Sequence, residues 1–425
     1  MKILVDGMNF ELQSGTGIKT YSRSVVAALS NQGHEIDLLS QQSIKSIKHV
    51  TPLAGYLAEM APRNNTGRIG LREKIFSHVT KIGLSYKGNI DLTDNANIDV
   101  LSKLHGEDWQ LINGLKVSPG LFLKSFARAG LGLGITKVPK ARNSEVLFLT
   151  SPIPIYLHGK VNILTIHDVI PLSHPWLMNR WSNIAKAIGN TLEYTTSKAD
   201  KIICVSETTR QELLNRFNID ERKLHVVYQP CRFSLGEQSS SKEADAEVLE
   251  WFGLSNTTPY ILFVGAIEPK KNLLNLLKAM KLNKSLPQLI VIGKFAWSCE
   301  QEKVMISELK GRVRHLGFLA DHELNILHKN ASAFVFPSIV EGFGLPVLEA
   351  LWNGVPCVIS DIPVFRELFL NHAHFIDPYS PAAIAKGIVR ALDSCINERK
   401  LASEYVQSKF SFKKFKGELG DIIQS

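Results

Sequence analysis

Two glutamates eight residues apart, Glu341 and Glu349, bracket the stretch of this 425-residue chain best equipped for chemistry. An apolar run, Ala333 to Phe336, leads into Pro337-Ser338-Ile339-Val340-Glu341-Gly342-Phe343-Gly344-Leu345-Pro346, and Val347 to Trp352 then reads as a helix. Gly342 and Gly344 let the backbone approach a ligand closely. Pro346 pre-sets a helix start, where N–H groups and the positive end of the helix dipole suit an anion. A carboxylate accepts two hydroxyl hydrogen bonds at once, as a sugar or ribose diol offers them. Glu349 alone is explicable as a charge that complements a helix start; Glu341 and the glycine pair are not.

A second junction, Gly265-Ala266-Ile267-Glu268-Pro269-Lys270-Lys271-Asn272, also follows an apolar run and opens a predicted helix. Two lysines in a first helical turn oppose the dipole at ~0.3–1 kcal/mol each. A bound diphosphate would reverse that sign; an exposed pair partly neutralised by Glu268 is the plainer alternative. His167, in Thr165-Ile166-His167-Asp168-Val169-Ile170-Pro171, ends another apolar run. A lone histidine is more often structural, but the carboxyl end of a strand is where an α/β sheet binds its ligands. Gly15-Thr16-Gly17 follows the first strand, and backbone N–H groups there could face a phosphate or sugar. Other patterns fail. Gly17-Ile18-Lys19-Thr20 has isoleucine where a P-loop requires glycine, Gly130-Leu131-Gly132-Leu133-Gly134 is not G-x-G-x-x-G, and no H-E-x-x-H or G-x-S-x-G occurs.

The elements that must position these residues alternate between strand and helix. Lys2 to Val5 reads as a strand, Ile18 to Asn31 as a helix stopped by Gly33, and Glu35 to Leu39 as a strand. Such a β-α-β start implies a parallel sheet covered by helices. After an irregular segment from 41 to about 140, alternation returns with strands at Val146 to Leu149, Val161 to Ile166, Lys201 to Val205 and Leu224 to Tyr228. Residues 229–256, polar and rich in Ser, Glu and Lys, read as a linker with a surface loop or short helix. A second series begins at Tyr260 to Val264 and continues with strands at Gln288 to Ile292, Val313 to Leu316, Ala333 to Phe336 and Val355 to Ile359. The expected domains are therefore 1–228, the linker, 257–405, and a C-terminal helix over 406–425 that returns toward the first domain.

Composition fits a globular chain with 44% hydrophobic and 21% charged residues. The net charge of +9 admits a solvated basic surface, an anionic substrate or an anionic membrane surface. No basic stripe with interleaved aromatics points to nucleic acid. The five cysteines are scattered and never form C-x-x-C, which argues for a reducing compartment and against a zinc site. Asp6 and Gly7 interrupt any N-terminal apolar region, so the start reads as a core strand and not as a signal peptide, and no run reaches the ~18 apolar residues of a membrane span. The stretch Gly120 to Ile135 admits two readings: an amphipathic helix on a membrane surface, or an ordinary buried helix plus a loop.

Taken together, Glu341 to Ala350, Gly354-Val355-Pro356, Ser360-Asp361-Ile362-Pro363 and Val264-Gly265 through Lys271-Asn272-Leu273 resemble the retaining glycosyltransferases of the GT-B fold. The resemblance covers nearly the whole second half. In the first half it is thinner: Gly15 to Gly17, His167-Asp168 and Val205-Ser206-Glu207. It implies an α/β protein of two Rossmann-like doubly wound domains facing each other across a cleft. It further implies a metal-independent hexosyltransferase acting on a nucleotide-sugar donor with no other cofactor. In that family's terms His167, Glu341 and Lys271 are catalytic. Gly15, Gly17, Lys270, Lys271, Gly342, Phe343, Gly344, Leu345 and Glu349 hold the donor, Glu349 through its ribose. Gly317-Phe318-Leu319 lies near the base. Ala266 stands where many members carry arginine, and Tyr228-Gln229-Pro230 replaces a common asparagine–glycine. The resemblance is nearest to members that build bacterial surface polysaccharides, lipopolysaccharide among them, often by mannosyl transfer to a glycan or lipid-linked acceptor. Such an enzyme would be cytoplasmic, with peripheral contact to an anionic membrane. A silent sugar-nucleotide-binding protein and a GT-B epimerase are the competing readings.

Overall fold

Apolar runs without polar alternation, such as Tyr260-Ile261-Leu262-Phe263-Val264, can be satisfied only in a sheet covered on both faces. In the computed structural model this run is buried along its whole length. The structure describes residues 1–10, 17–40, 93–94, 110–118, 120–138, 143–178, 182–235, 242–255 and 257–425. The chain divides into an N-terminal unit (1–176, 180–228 and 415–425) and a C-terminal unit (177–179 and 229–414).

The N-terminal unit contains β1 (Lys2–Asp6), β2 (Glu35–Ser40), β3 (Thr93–Asp94), β4 (Gly114–Val117), β5 (Thr136–Val138), β6 (Val146–Leu149), β7 (Ile155–Leu157), β8 (Val161–Ile166), β9 (Lys201–Cys204) and β10 (Leu224–Val226). Its main sheet runs β10-β9-β8-β6-β1-β2-β4-β3, with β5 and β7 paired apart. Among the described residues, only the β3–β4 pair of the main sheet is antiparallel. The strand order reverses between β1 and β6.

The C-terminal unit contains β11 (Tyr260–Val264), β12 (Gln288–Ile292), β13 (Val313–Gly317), β14 (Ala333–Phe336), β15 (Cys357–Ser360) and β16 (His374–Ile376). These form one parallel sheet in the order β13-β12-β11-β14-β15-β16. Counted from β11, that is the doubly wound order 3-2-1-4-5-6, and its switch point lies between β11 and β14. The two predicted ligand loops, 265–272 and 337–345, leave the carboxyl ends of these two adjacent strands.

Several expectations change. The segment 229–256 carries the short helix that is one of its expected forms, Lys242–Trp251, and a 3₁₀ turn, Arg232–Leu235, but it groups with the C-terminal unit and is not a linker between units. Buried Asp245 there pairs with Lys329 at 2.7 Å. The helix expected over 406–425 is two helices, Ile396–Lys409 and Phe412–Gln424. From Phe415 onward the second groups with the N-terminal unit, where Gln32 Nε2 donates to Lys416 O (2.6 Å) and Lys201 Nζ to Ile422 O (2.5 Å). The stretch at 120–135 is a helix, Leu121–Gly130, whose Leu121 and Phe122 lie fully inside the unit's core. Those two side chains therefore cannot meet a membrane, and the buried-helix reading holds. No described helix is long and apolar enough to cross a membrane.

Candidate active site

The lysine pair does not occupy the first turn of an α-helix, as its sequence suggested. Pro269–Lys271 is a separate 3₁₀ turn, and Asn272, in the left-handed region at φ 57°, breaks it from the helix Leu273–Leu282. The dipole penalty inferred for these lysines is thus smaller, and their electrostatics are settled by neighbouring carboxylates. Lys270 Nζ lies 3.5 Å from Glu268 Oε1. Lys271 Nζ donates to Glu341 Oε1 at 2.5 Å and sits 4.7 Å from the centre of the Phe336 ring.

Three further hydrogen bonds hold these loops in place, two between them and one to Pro378. Ile339 N donates to Lys270 O at 2.8 Å. Asn272 Nδ2 donates to Pro337 O (2.9 Å) and Pro378 O (2.7 Å). The paired side chains are 13% (Lys271) and 9% (Glu341) exposed, so water screens them little. Burial alone would push the Glu341 carboxyl up, but the charges of Lys271 and Lys270 and the hydrogen bond from Lys271 outweigh it and hold it below its ordinary value. Glu341 is therefore an ionised, acceptor-only group beside two cations at the sheet's switch point.

The second half of the motif begins the helix Leu345–Trp352. Gly344 adopts φ 113°, and a Cβ there would stand 2.7 Å from Phe365 Cε1, so glycine is required twice over, by dihedral and by space. Phe343 packs edge-on against Phe410 with ring centres 5.8 Å apart, which anchors the turn. The opening amides of such a helix lack intrahelical acceptors. Glu349, 6% exposed, receives Arg232: Nε lies 3.0 Å from Oε1 and Nη2 3.4 Å from Oε2. Arg232 Nη1 also donates to Asp321 Oδ1 at 2.9 Å. Fully buried His328 places Nε2 3.7 Å from Glu349 Oε2; burial first, and the Arg232 charge second, lower its pKa to about 3, so the ring is neutral.

In the N-terminal unit, His167 follows β8, and its Nε2 lies 2.9 Å from Thr150 O. A carbonyl only accepts, so Nε2 carries the proton and Nδ1 is the acceptor. Burial lowers the His167 pKa, against the Thr150 contact and Asp168, which fixes the neutral ring. Tyr21 packs edge-on at 4.9 Å between ring centres and shares a 3.0 Å hydrogen bond with Thr165. Thr150 also donates to buried Asp6, from its amide (2.5 Å) and its hydroxyl (2.8 Å). Gly17 is the first residue of the helix Gly17–Ser30, whereas Gly15 lies outside the described residues. Ser206 caps the helix Glu207–Leu214 by accepting from Thr209 N, so that part of the predicted pattern serves structure.

Asp6 supplies a test of this network. Burial pushes its carboxyl from 3.8 up to about 6, although hydrogen bonds from Thr150 and the Met8 backbone oppose the rise. The folded state binds this proton more tightly than the unfolded chain. Its stabilising contribution is therefore complete below about pH 4 and lost as pH rises through 6. Between pH 7.5 and pH 5 the wild type should regain about 1.5 kcal/mol from this group. Asp6→Asn should lack that gain when urea unfolding is compared at the two pH values. Equal pH dependence in both proteins would remove Asp6 as the titrating group.

Residues 247–409 match the glycosyl transferases group 1 family, and residues 134–231 match glycosyltransferase family 4. The C-terminal half of the chain therefore carries a match to the group 1 glycosyltransferases. It is 31% identical over 218 residues to the O-antigen chain mannosyltransferase RfbU of Salmonella typhimurium, covering 51% of this chain and 56% of that one. It is 29% identical over 261 residues to O-antigen chain mannosyltransferase B of Escherichia coli, covering 58% and 65%. The match thus spans less than two thirds of either relative. The Anabaena protein HepE, solved in complex with UDP and glucose, superposes with a TM-score of 0.62 at 13% identity, covering 100% of this chain and 99% of that one. This likeness establishes the GT-B fold.

Within the segment matching the group 1 family the structure gathers Lys270, Lys271, Glu341 and the glycine turn at one switch point, with Glu349 in the second turn of the helix Leu345–Trp352. Ala266, where many group 1 members carry arginine, has an exposed side chain beside them. Gly317 to Leu319 follow β13, where Phe318 is 50% exposed under Lys294 Nζ, 5.0 Å from its ring centre. Sequence reasoning missed Arg232, Asp321, His328 and Asn272. Arg232 sat inside a segment read as linker, and nothing in its spacing pointed to Glu349, 117 residues away.

Proposed function

We propose that the chain is a retaining, metal-independent hexosyltransferase. It moves a sugar, mannose by preference, from a nucleoside-diphosphate donor to a glycan or lipid-linked glycan in cell-surface polysaccharide synthesis. The observation that carries this reading is the Lys271–Glu341 pair, 2.5 Å apart at the switch point of the C-terminal sheet with Lys270 alongside. Mannose and the surface-glycan acceptor are supported by what RfbU and its E. coli counterpart are named for, and the nucleotide donor by the UDP in HepE. Retention of configuration rests on the Glu341-to-Glu349 resemblance.

In this reading the anomeric C–O bond breaks with its electron pair passing to the diphosphate. The acceptor oxygen bonds to the anomeric carbon on the same face, and its proton passes to the departing phosphate. Lys270, Lys271 and the helix start at Leu345 neutralise the leaving charge, an electrostatic contribution that is usually the largest in such sites. Glu341 accepts hydroxyls of the donor sugar, and Glu349 accepts those of the ribose. We place the reaction at the cytoplasmic membrane face. The chain's net positive charge supports that placement, and the helix Leu121–Gly130 does not.

The test is nucleoside diphosphate release from a panel of GDP-mannose, GDP-fucose, UDP-glucose and UDP-N-acetylglucosamine, with and without lipid-linked glycan extract. One donor should raise thermal stability, by about 2.7 kcal/mol at a hundredfold excess over Kd, and should be cleaved faster with acceptor. Binding without release would favour a silent sugar-nucleotide-binding protein, and free nucleotide with an altered sugar would favour an epimerase.

A further inference from the structure

Between the starts of two helices of the C-terminal unit, Leu273–Leu282 and Glu300–Glu308, lies a cleft of about 400 Å³. That volume is at the lower end of small-molecule sites. Its walls are of two kinds: Pro269 and Leu274 are apolar, and Glu300 and Glu302 are acidic. The two carboxylates sit at different depths. The Glu300 side chain is 81% exposed at the rim, where it meets Lys303 at 3.0 Å. Glu302 is 5% exposed at the floor, and its Oε2 has no hydrogen-bond partner among the described residues.

A buried carboxylate is costly unless a cation or several donors meet it. The neighbours do not supply them. Asn272, which also lines the cleft, commits its side-chain amide to Pro337 O and Pro378 O. Lys278 is exposed on the first helix, and no described lysine, arginine or histidine lines the cleft. Burial therefore holds the Glu302 carboxyl above its ordinary value, with Glu300 adding to the rise and the Glu302 amide and Lys278 opposing it. The complement to Oε2 is a donor that carries positive charge. Pro269 and Leu274 offer a carbon chain a surface beside it. A metal ion is poorly served, because the described residues bring no third His, Cys, Asp or Glu to the two carboxylates.

We propose that this cleft is a binding site for a small aliphatic polyamine. One primary ammonium donates to Glu302 at the floor, the carbon stem lies against Pro269 and Leu274, and a second ammonium meets Glu300 at the rim. Neither Lys271 nor Glu341 lines the cleft, so the inference stands independently of the proposed transfer reaction.

The experiment is calorimetry on the full chain at low salt with putrescine, propylamine, butanediol and magnesium. Putrescine should bind at one site, propylamine more weakly, and butanediol not at all. Glu302→Gln keeps the shape and removes the charge; it should weaken putrescine about tenfold or more, the effect of one hydrogen bond to a charged acceptor. Leu274→Lys brings a tethered ammonium to the same carboxylate. It should abolish putrescine binding, and it carries the test if the glutamine variant does not fold. Unchanged putrescine binding in either folded variant would overturn the site in favour of diffuse attraction to surface acids, and so would a wild type that binds no amine. Magnesium binding that is lost in Glu302→Gln, without amine binding, would replace the polyamine by a metal ion. Equal affinities for putrescine and propylamine would overturn the second contact at Glu300, and butanediol binding as tightly as putrescine would overturn the need for charge.

Discussion

Lys271→Ala is expected to lower kcat/KM for the donor about a thousandfold, with both turnover and donor affinity affected. One preorganised charge at a developing anion contributes about 2.7–4 kcal/mol to the transition state, equivalent to ~10²–10³ in rate, and ground-state binding to a diphosphate adds to that. The lysine is poorly screened: its side chain is 13% exposed, over the Phe336 ring and 2.5 Å from Glu341. Its removal also leaves Glu341 buried with only Lys270 to compensate, and an unpaired buried charge costs ~3–5 kcal/mol of stability. The two losses are separable. Lys271→Arg restores a cation beside Glu341 and should recover most of the melting temperature, but its longer, planar head cannot occupy the same point and should recover little of the turnover. Steady-state nucleotide release alongside thermal melts of both variants distinguishes them. Near-normal kinetics in the folded alanine variant would remove the lysine clamp from the mechanism.

What could be read in the sequence was whatever chemistry writes locally. The turn from β14 to its helix was legible because glycine, proline and glutamate types at fixed spacing each have a backbone reason to be there. The order of the central strands was legible because continuous apolar runs mark buried parallel strands. Pairings across long stretches of chain were not. Lys271 meets Glu341 across 70 residues, and Arg232 meets Glu349 across 117. Neither distance leaves a periodic trace. The edge strand β16 went unrecognised because His374-Phe375-Ile376 is short and only its last residue is fully buried. The helix Leu121–Gly130 was ambiguous for a physical reason: an amphipathic stripe is the same in sequence whether it faces a core or a membrane. The lysines of Pro269–Lys271 were assigned to an α-helical turn because proline at a helix start was recognised, but the left-handed Asn272 behind them was not. The break between Lys409 and Phe412 likewise lacks glycine or proline to announce it.

Gly293→Ala should be the most damaging single methyl in the C-terminal unit. Gly293 follows β12 at φ 143°, and a Cβ there would lie 1.9 Å from Gly265 O and 2.7 Å from Gly265 C. That neighbour is backbone, so no side chain can swing away. Gly293 is also held from both sides: its amide donates to Gly317 O at 2.7 Å, and His315 Nε2 donates to its carbonyl at 2.6 Å. Relief can come only by displacing Gly265 and Ala266, which lead directly into the Pro269–Lys271 turn. The dihedral alone costs ~1–3 kcal/mol, and forced backbone displacement should bring the total to about 4 kcal/mol or more. At roughly 2–4 °C per kcal/mol for a unit of this size, the melting temperature should fall by about 10 °C or more. Gly311→Ala isolates the dihedral contribution: Gly311 has φ 87°, yet a Cβ there meets nothing within 4 Å. It should lose only about 1 kcal/mol. The contrast between the two melts measures how tightly the ends of β11 and β12 are pressed together. If Gly293→Ala melts no lower than Gly311→Ala, that close approach is not what fixes the lysine turn in place, and the rigidity of the proposed phosphate clamp must come from the Asn272 and Ile339 hydrogen bonds instead.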